Sequence, residues 1–359
     1  MMRDQSQRPT LPIQAGSVGF IHGRQDSLPD GDDAGEDAAA DIAISEWESR
    51  AITADMADHG LRLDKALAKW VPEFSRSYLQ ALLEQGAVLV NGKAGSKASA
   101  KVKAGDAVAV ELRPTQQSQA FLPQDIPLDV VYEDAYLCII NKPAGMVVHP
   151  APGNWSGTLL NALLARDAKA AQLPRAGIVH RLDKDTSGLM VVARERQTMD
   201  ALVKLIAARD VHRNYVALAH KPWSGDATKT VAHPIGRDPR NRLRMAVVDL
   251  AQHPGKAART DFRLLANADE GCLVYCSLHT GRTHQIRVHM ASLGHPLVAD
   301  ALYGGSAAAG LERQGLHALR LAFVHPVTGQ GMSWFAPPPQ DMAQAMENWD
   351  IRYNLQELA

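Results

Sequence analysis

The chain has 359 residues, with 38 basic and 39 acidic side chains and 46% apolar residues. This apolar fraction supports a substantial core, which excludes disorder of the whole chain, and the length is typical of two domains. No apolar run approaches the roughly 18 residues of a membrane span, and the first residues lack the apolar segment of a secretion signal. We therefore expect a soluble, cytoplasmic protein without a membrane partner.

Charge is distributed unevenly along the chain. Residues 1–55 carry four of the 38 basic and eleven of the 39 acidic side chains, which leaves the rest with a net charge of +6. The same segment has almost no apolar periodicity, so we expect a disordered acidic extension. Two roles fit it: the segment mimics nucleic acid and competes for a basic groove, or it only solvates the chain, the commoner role of acidic tails.

The sequence predicts neither a metal nor a nucleotide cofactor. It contains no phosphate-binding loop and no Gly-x-Gly-x-x-Gly motif, which favours a reaction without a cofactor. His279, His284 and His289 recur every five residues, so one helical face cannot present all three to a metal ion. The cysteines are an odd number without a Cys-x-x-Cys pair, which argues against zinc and disulfides. We interpret them as small apolar core residues: Cys138, Cys272 and Cys276.

Residues 56–113 have the pattern of a small α/β module. Apolar residues at helical spacing predict two helices, ended by Pro72 and Gly86, and Ser77 and Gln80 have the spacing of a capping box. The apolar positions of these helices are Leu63, Ala66, Leu67 and Trp70, then Tyr78, Leu79, Leu82 and Leu83. Alternating valines that lead into Asn-Gly at positions 91 and 92 predict a tight β-hairpin, followed by another strand.

Eight cations lie on this small module, which suits contacts with phosphates, although a solvated surface has the same composition. They are Arg62, Lys65, Lys69, Arg76, Lys93, Lys97, Lys101 and Lys103. The order of parts resembles the S4-type RNA-binding module, with Arg62-Leu63-Asp64 opening the first helix and Ser75-Arg76 before the second. This resemblance implies that the module binds RNA, with Arg62 and Arg76 among the contacts.

A second domain is predicted from residue 126 to residue 345. Residues 114–125 before it are polar and contain two prolines, as in a linker, and residues 346–359 after it are predicted as a C-terminal helical tail. Short strands outnumber helices, so we expect the α+β class with a mainly antiparallel mixed sheet. The predicted strands are Val130–Tyr132, Leu137–Ile140, Leu189–Val192, Tyr215–Ala219 and Cys272–Leu278, with the clearest helix around Met199, Leu202, Val203 and Ile206.

A dense polar cluster runs from His180 to Gly188, in the order His-Arg-Leu-Asp-Lys-Asp-Thr-Ser-Gly, directly before the apolar strand Leu-Met-Val-Val. A loop that presents His, Arg and Asp beside core strands is typical of a catalytic loop. The same residues also suit an ordinary turn, in which Asp183 or Asp185 caps backbone amides. The residues alone leave both interpretations open.

A second polar cluster spans residues 278–290. Ile286, Met290 and Leu293 form an apolar helix face at spacings of four and three residues. Arg287 lies beside this face, which indicates a partly buried guanidinium. A buried guanidinium requires an anion, so we expect a carboxylate or a phosphate next to it.

Two further residues allow two interpretations each. Lys142 lies in a turn between strand signals, where it either reaches a phosphate or is solvated. Tyr215 lies in an alternating strand and points away from Val216 and Leu218, so it is either a core residue or a platform on which a base stacks.

Four motifs follow one another along the chain: Asn141-Lys-Pro-Ala-Gly-Met-Val-Val-His-Pro, His180-Arg-Leu-Asp-Lys-Asp-Thr-Ser-Gly, Arg213-Asn-Tyr215 and Thr280-Gly-Arg-Thr-His-Gln-Ile-Arg-Val-His289. In this order they resemble the pseudouridine synthases that modify large-subunit ribosomal RNA, over about residues 61–337. Three more segments resemble the subgroup called synthase D: Gly157-Thr-Leu-Leu-Asn-Ala-Leu-Leu, Gly188-Leu-Met-Val-Val-Ala and Pro296-Leu-Val.

The resemblance implies the fold of these synthases and specific roles in uridine isomerisation. Asp183 is the implied catalytic carboxylate, Tyr215 the aromatic that packs on the target base, and Arg287 the partner of the aspartate, whose ionised form a guanidinium favours. The implied partner is 23S ribosomal RNA, free or in the large-subunit particle, and we expect a monomer without cofactor. Arg181, beside the aspartate, is a candidate for occupying the space that the displaced base leaves or for binding a neighbouring phosphate. Further candidate RNA contacts are His180, Lys184, Lys142, Arg282, Thr283 and His284, with a structural ion pair as the alternative role of Arg282.

Two other functions remain open at this stage. A non-catalytic RNA-binding factor in ribosome assembly would keep the fold, but it would have no need of Asp183, Tyr215 and Arg287 together. A hydrolase of the glycosidic bond would require a second carboxylate as an acid, and Asp185, two residues away in the presumed turn, is the nearby choice.

Overall fold

The computed structural model describes residues 48–94, 97–113 and 120–359. Most of the predicted extension and half of the predicted linker, residues 1–47 and 114–119, lie outside these ranges. Among the described residues, no helix has the length and apolar content of a membrane span.

The N-terminal module consists of β1 (Glu48–Thr53), α1 (Leu63–Trp70), α2 (Arg76–Glu84), β2 (Val88–Val90), β3 (Lys93–Ala94) and β4 (Ala107–Leu112). Its strands form an antiparallel sheet in the order β1-β4-β2-β3. Apolar residues of both helices share one core with the sheet, including Leu67, Leu82 and Val110. The predicted pair of helices with a small sheet is therefore confirmed.

The hairpin between β2 and β3 follows from two residues. Asn91 and Gly92 have φ angles of +52° and +76°, which place both in the left-handed region. A two-residue turn with both residues there matches the right-handed twist of the flanking strands. The strands pair as predicted, with Val90 opposite Lys93.

Two boundaries of this module differ from the prediction. Residues 48–53, assigned to the disordered extension, form β1, and of these side chains only Arg50 and Ile52 are partly buried. Backbone pairing with β4 holds this strand along its length, and Ile52 is its one apolar side chain packed on the core, so no apolar alternation marks it. The N-cap of α2 is Ser75, whose hydroxyl accepts a hydrogen bond from the Tyr78 amide at 3.3 Å, so Ser77 already lies within the helix.

The second part of the chain contains the remaining strands and helices. They are β5 (Val130–Glu133), β6 (Leu137–Lys142), α3 (Leu159–Arg166), β7 (Ser187–Ala193), α4 (Arg196–Ala208), β8 (His212–His220), β9 (Thr228–Val231), β10 (Ile235–Arg237), β11 (Met245–Val247), β12 (Thr260–Asn267), β13 (Gly271–Leu278), α5 (Gln285–Ser292), β14 (Leu316–Val324), β15 (Gly331–Phe335) and α6 (Gln340–Asn348). The strands β10 and β11 pair with each other.

The large sheet has nine strands within the described ranges, in the order β5-β6-β7-β14-β8-β13-β12-β9, with β15 paired to β14. Its strand pairs are antiparallel except for β7 and β14, which run parallel. The predicted α+β class with a mainly antiparallel mixed sheet is confirmed.

The central strand β8 is buried on both faces, and its alternation separates two cores. Tyr215 and Ala217 pack in the core that contains residues of α3 and α5, whereas Val216 and Leu218 pack with α6. Tyr215 therefore faces the same side of the sheet as α5, the helix that carries Arg287. The three cysteines lie in the core on the α5 side, as interpreted: Cys138, Cys272 and Cys276.

The C-terminal segment is not a separate tail. The helix α6 begins at Gln340 rather than at residue 346, and its Met342 and Ala345 are fully buried against side chains of β8. Ile351 and Leu355 continue the same core. The predicted boundary at residue 346 therefore falls inside α6, a helix whose apolar residues pack with the sheet.

We expect Met342→Ala to destabilise the protein, because it leaves a cavity between α6 and the sheet. The predicted loss is about 2–4 kcal/mol in the free energy of unfolding, measured by urea denaturation. Gln344→Ala, an exposed position on the same helix, is the control and should change the free energy by less than about 0.5 kcal/mol. Equal stability of the two variants would show that α6 is not part of the core.

Candidate active site

The polar cluster at residues 180–188 forms a tight loop that leads into β7. The amide of Thr186 donates to the carbonyl of Asp183 at 3.1 Å, which closes a turn. Arg313 donates from Nη1 to the carbonyl of Asp185 at 3.0 Å. The segment is therefore a turn closed by backbone atoms, with no cap from the Asp183 or Asp185 side chain seen among the described residues, and it presents the Asp183 carboxylate to Arg287.

Lys142 holds this loop from inside the protein. Its side chain is fully buried, and Nζ donates to the carbonyls of Pro143, Met146 and Lys184 at 2.8, 2.9 and 3.0 Å. Burial lowers the pKa of Lys142 to about 8. The predicted RNA contact of Lys142 is therefore wrong, since three carbonyls already take the donors of its ammonium group and none is left for a phosphate.

Arg287 joins the loop to α5. Its Nη1 donates to Oδ2 of Asp183 at 2.9 Å, and Nε and Nη2 donate to the two carboxylate oxygens of Asp300, each at 2.8 Å. Burial opposes the charge, but the hydrogen bonds to Asp300 and the charge of Asp183 raise the pKa of Arg287 above its usual value. The structure thus brings together Asp183 and Arg287, which are 104 residues apart in the sequence.

Asp300 is the functional residue that sequence reasoning missed. It is 2% exposed and directly precedes the short helical turn at residues 301–303. A buried Arg287 requires an anionic partner, and Asp183 already meets that requirement, so the sequence gives no reason to look for a second carboxylate. No spacing connects residue 300 to residue 287, so only the three-dimensional fold reveals the second, bidentate partner.

Tyr215 lies beside this pair on the α5 side of β8. It is 5% exposed and belongs to the same core as Ile286 of α5. Burial raises the pKa of Tyr215 to about 12, with opposing contributions from the charges of Arg213 and Asp183, so the phenol is neutral at physiological pH. A neutral aromatic ring at this position suits contact with an uncharged base.

The residues directly before α5 lie close to the aspartate as well. His284 is the N-cap of the helix, and its Nε2 is 3.8 Å from Oδ2 of Asp183. Arg282 and Thr283 are half-buried, and Arg282 donates from Nε to the carbonyl of Ala257 at 3.1 Å. This backbone contact fixes the side chain of Arg282 in the turn.

The residues around Asp183 in its own motif divide into two groups. His180 accepts a hydrogen bond at Nε2 from the amide of Val191 at 3.1 Å, and burial lowers its pKa to about 3. Its neutral ring supports β7, and Nδ1 is buried inside the protein as well, so the ring offers no accessible nitrogen and the predicted RNA contact of His180 is not supported. Arg181 and Lys184 are exposed on either side of the aspartate.

The predicted RNA contacts of the N-terminal module are on its surface. Arg62 is exposed and pairs with Asp64 at 2.9 Å, so part of its charge is already compensated. Arg76 is exposed at the first residue of α2. Both side chains are accessible to a partner from solvent.

The geometry defines a candidate active site based on one carboxylate. Within the described ranges, Oδ2 of Asp183 accepts a hydrogen bond from Arg287, whereas Oδ1 accepts none. A carboxylate fixed through one oxygen presents the other as a nucleophile or a base. The described residues contain no group of three or more His, Cys, Asp or Glu side chains placed to hold a metal ion.

Comparison with known proteins agrees with this description. The profile of the RNA pseudouridylate synthase family matches residues 136–292, and that of the S4 domain matches residues 61–108. Ribosomal large subunit pseudouridine synthase D of Neisseria meningitidis serogroup B is 46% identical over 314 residues, which cover 84% of this chain and 82% of the relative. The protein of the same name from Escherichia coli K12 is 46% identical over 80% of this chain and 90% of the relative.

A solved structure shares the fold. The human RNA pseudouridylate synthase domain containing 1 protein superposes with a TM-score of 0.51 at 26% identity, covering 66% of this chain and 94% of the human chain. The fold and the site define an RNA-modifying isomerase with an S4 domain. The chain belongs to the RNA pseudouridylate synthase family.

We expect Asp300→Asn to weaken both the fold and the site, because Arg287 then keeps only one carboxylate partner for its buried charge. The predicted loss is about 2–4 kcal/mol in the free energy of unfolding, measured by urea denaturation. Asp200→Asn is the control, since Asp200 forms an exposed ion pair with Arg196 on α4 and its removal should cost less than about 0.5 kcal/mol. Similar losses in the two variants would contradict the importance of the buried pair.

Proposed function

We propose that this protein isomerises specific uridines to pseudouridine in large-subunit (23S) ribosomal RNA, with Asp183 as the essential carboxylate. One observation carries the proposal: Arg287 holds Oδ2 of Asp183 at 2.9 Å, while Oδ1 accepts no hydrogen bond from the described residues. The names of the relatives from Neisseria meningitidis and Escherichia coli support the ribosomal substrate.

The reaction requires a single ionised carboxylate and no external reagent. The bond between N1 of uracil and C1′ of the ribose breaks, the base turns, and a bond between C5 and C1′ forms, while the proton on C5 moves to N1. Atoms and electrons balance without an oxidant or ATP. We therefore propose that the reaction needs no cofactor. Asp183 either attacks a carbon atom or removes a proton from the sugar, and Arg287 favours its ionised form in both cases.

The target uridine must leave its stack before it reaches Asp183. Removing a base from a stack costs a few kcal/mol, and less in a loop than in a paired stem. In the proposal Tyr215 packs on the displaced uracil, and the exposed Arg181 occupies the vacated space or binds a neighbouring phosphate. Lys184, Arg282, Thr283 and His284 lie around the aspartate as further candidate contacts.

The same residues argue against a purely RNA-binding role. A binding factor for ribosome assembly has no use for a buried guanidinium that holds a partly exposed carboxylate, because that arrangement adds no net positive charge toward RNA. All groups of the site come from one chain, which supports action as a monomer. A ribosomal RNA substrate supports location in the cytoplasm.

We expect Asp183→Asn to abolish pseudouridine formation while RNA binding persists. The amide can neither attack carbon nor accept a proton, so the single-turnover rate should fall at least about a thousandfold. The measurement is pseudouridine mapping in 23S RNA incubated with purified protein, together with a binding assay.

Asp185→Asn, in the same loop, is the matched control and should keep the wild-type rate. Substantial turnover by Asp183→Asn would refute the assigned role. Release of free uracil that depends on Asp185 would instead indicate a hydrolase.

The N-terminal module should contribute to RNA affinity through its charge. We expect Arg76→Gln to raise KM without changing kcat and to reduce the slope of log Kd against log salt concentration by about 0.7–1. The control is Arg352→Gln, which removes an exposed cation outside the module and should leave the slope unchanged. An unchanged slope for Arg76→Gln would exclude Arg76 as a phosphate contact.

A further inference from the structure

Tyr303 contacts two of the side chains that lie next to the Asp183 carboxylate, His284 and Arg287. Its hydroxyl oxygen accepts a hydrogen bond from the amide of Met245 at 3.0 Å and lies 2.8 Å from Nδ1 of His284. The guanidinium of Arg287 stacks over its ring, with Cζ 5.0 Å from the ring centre. None of these contacts follows from the motifs of the sequence.

The hydrogen bonds determine which nitrogen of His284 carries the proton. The phenol of Tyr303 has one proton, and the Met245 amide already donates to its oxygen. The phenolic proton is therefore directed to Nδ1 of His284, because the opposite tautomer would leave it without an acceptor among the described residues. In the resulting neutral imidazole the proton is on Nε2, the atom 3.8 Å from Oδ2 of Asp183.

The backbone supports the same arrangement. His284 has a φ of +55°, in the left-handed region that few residues other than glycine adopt, although histidine adopts it more often than most. It is the N-cap of α5, so this conformation turns the chain into the helix that carries Arg287. Backbone strain of this kind persists where the surroundings enforce it, and it is concentrated at functional sites.

Burial and four charged side chains act on the pKa of His284. Burial lowers its pKa, Asp183 and Asp300 oppose that shift, and Arg287 and Arg181 reinforce it. The strand β11 contacts this group through the backbone amide of Met245, which binds the phenol. Because the pKa of His284 lies below its usual value, the imidazole is neutral at physiological pH and the tautomer described above applies.

We propose that Tyr303 is a positioning residue, which fixes the tautomer of His284 so that Nε2–H and Arg287 both face Oδ2 of Asp183 and Oδ1 is the oxygen presented to the nucleoside. The inference rests on the proposed function and assigns the two oxygens of the carboxylate to different tasks. It also gives His284 a role toward the aspartate instead of an RNA phosphate.

The test uses two variants of the full chain. Tyr303→Phe keeps the ring next to Arg287 but removes the hydroxyl. Without the hydroxyl, nothing fixes which nitrogen of His284 carries the proton, and a hydrogen bond that favours the neutral imidazole is lost. We expect kcat to fall about tenfold, KM to stay unchanged, and the acidic limb of the pH profile to move up by about one unit. His284→Asn tolerates the left-handed backbone and can still bind the phenol, but it offers no donor to Asp183 and no titrating imidazole, so the contribution of the imidazole to the pH profile, and its response to Tyr303→Phe, should be lost.

The combination of the two variants distinguishes a relay from separate structural effects. If Tyr303 acts through His284, the double variant should be no slower than His284→Asn alone. Multiplied losses would overturn the inference. Tyr132→Phe is the matched control, because it removes a hydroxyl that donates to Asp134 at 2.9 Å away from the site, and it should leave the pH profile unchanged.

A spectroscopic measurement tests the relay independently of turnover. In the wild-type protein labelled with ¹⁵N-histidine, the signal that disappears in His284→Asn should show a protonated Nε2 and an unprotonated Nδ1. A protonated Nδ1 would overturn the inference. A wild-type protein that shows the expected tautomer but forms no pseudouridine in ribosomal RNA would instead reject the proposed function.

Discussion

The site depends on one guanidinium buried between two carboxylates. Arg287 makes hydrogen bonds of 2.8–2.9 Å to both Asp183 and Asp300. Removing a charge from water costs several kcal/mol, so an arginine in this position requires anionic partners with good geometry. Asp300 engages Nε and Nη2 in a bidentate pair, which leaves Nη1 to hold Asp183 through a single oxygen. The buried carboxylate of Asp300 thus orients Arg287, and Arg287 in turn orients the partly exposed carboxylate of Asp183.

The sheet and its loops make this geometry possible. The parallel contact of β7 with β14 and the antiparallel contact of β14 with β8 bring the start of β7, where the Asp183 loop ends, close to Tyr215 on β8. Lys142 and Arg313 then fix the loop by binding its carbonyls rather than its side chains. Because the backbone of the loop is held, the Asp183 side chain can pair with Arg287 without also having to fix the turn.

Local signals predicted much of the fold. Asn91-Gly92 gave the hairpin because its backbone preference is intrinsic, and the periodicity around Met199 predicted α4. The order of the strands in the large sheet has no local signal. The strand β1 was missed because backbone pairing with β4 holds it along its length and Ile52 is its one apolar side chain packed on the core.

The site was predicted in part, and the limits have physical causes. The requirement of a buried Arg287 for an anion follows from its position beside an apolar helix face, and the family motifs pointed to Asp183. Asp300 and Tyr303 contact Arg287 only through tertiary packing, so no spacing indicates them. Lys142 and His180 were assigned to RNA because sequence reveals their chemistry but not their burial.

The most direct test of the account is the single-turnover rate of Arg287→Lys at saturating 23S RNA. Lysine keeps the positive charge, but its single ammonium group cannot reproduce the bidentate pair with Asp300 and the separate bond to Asp183. The account predicts a folded protein that binds RNA and forms pseudouridine about a hundredfold more slowly. A rate within about twofold of the wild type would show that charge alone suffices and that the doubly paired guanidinium does not determine the reaction.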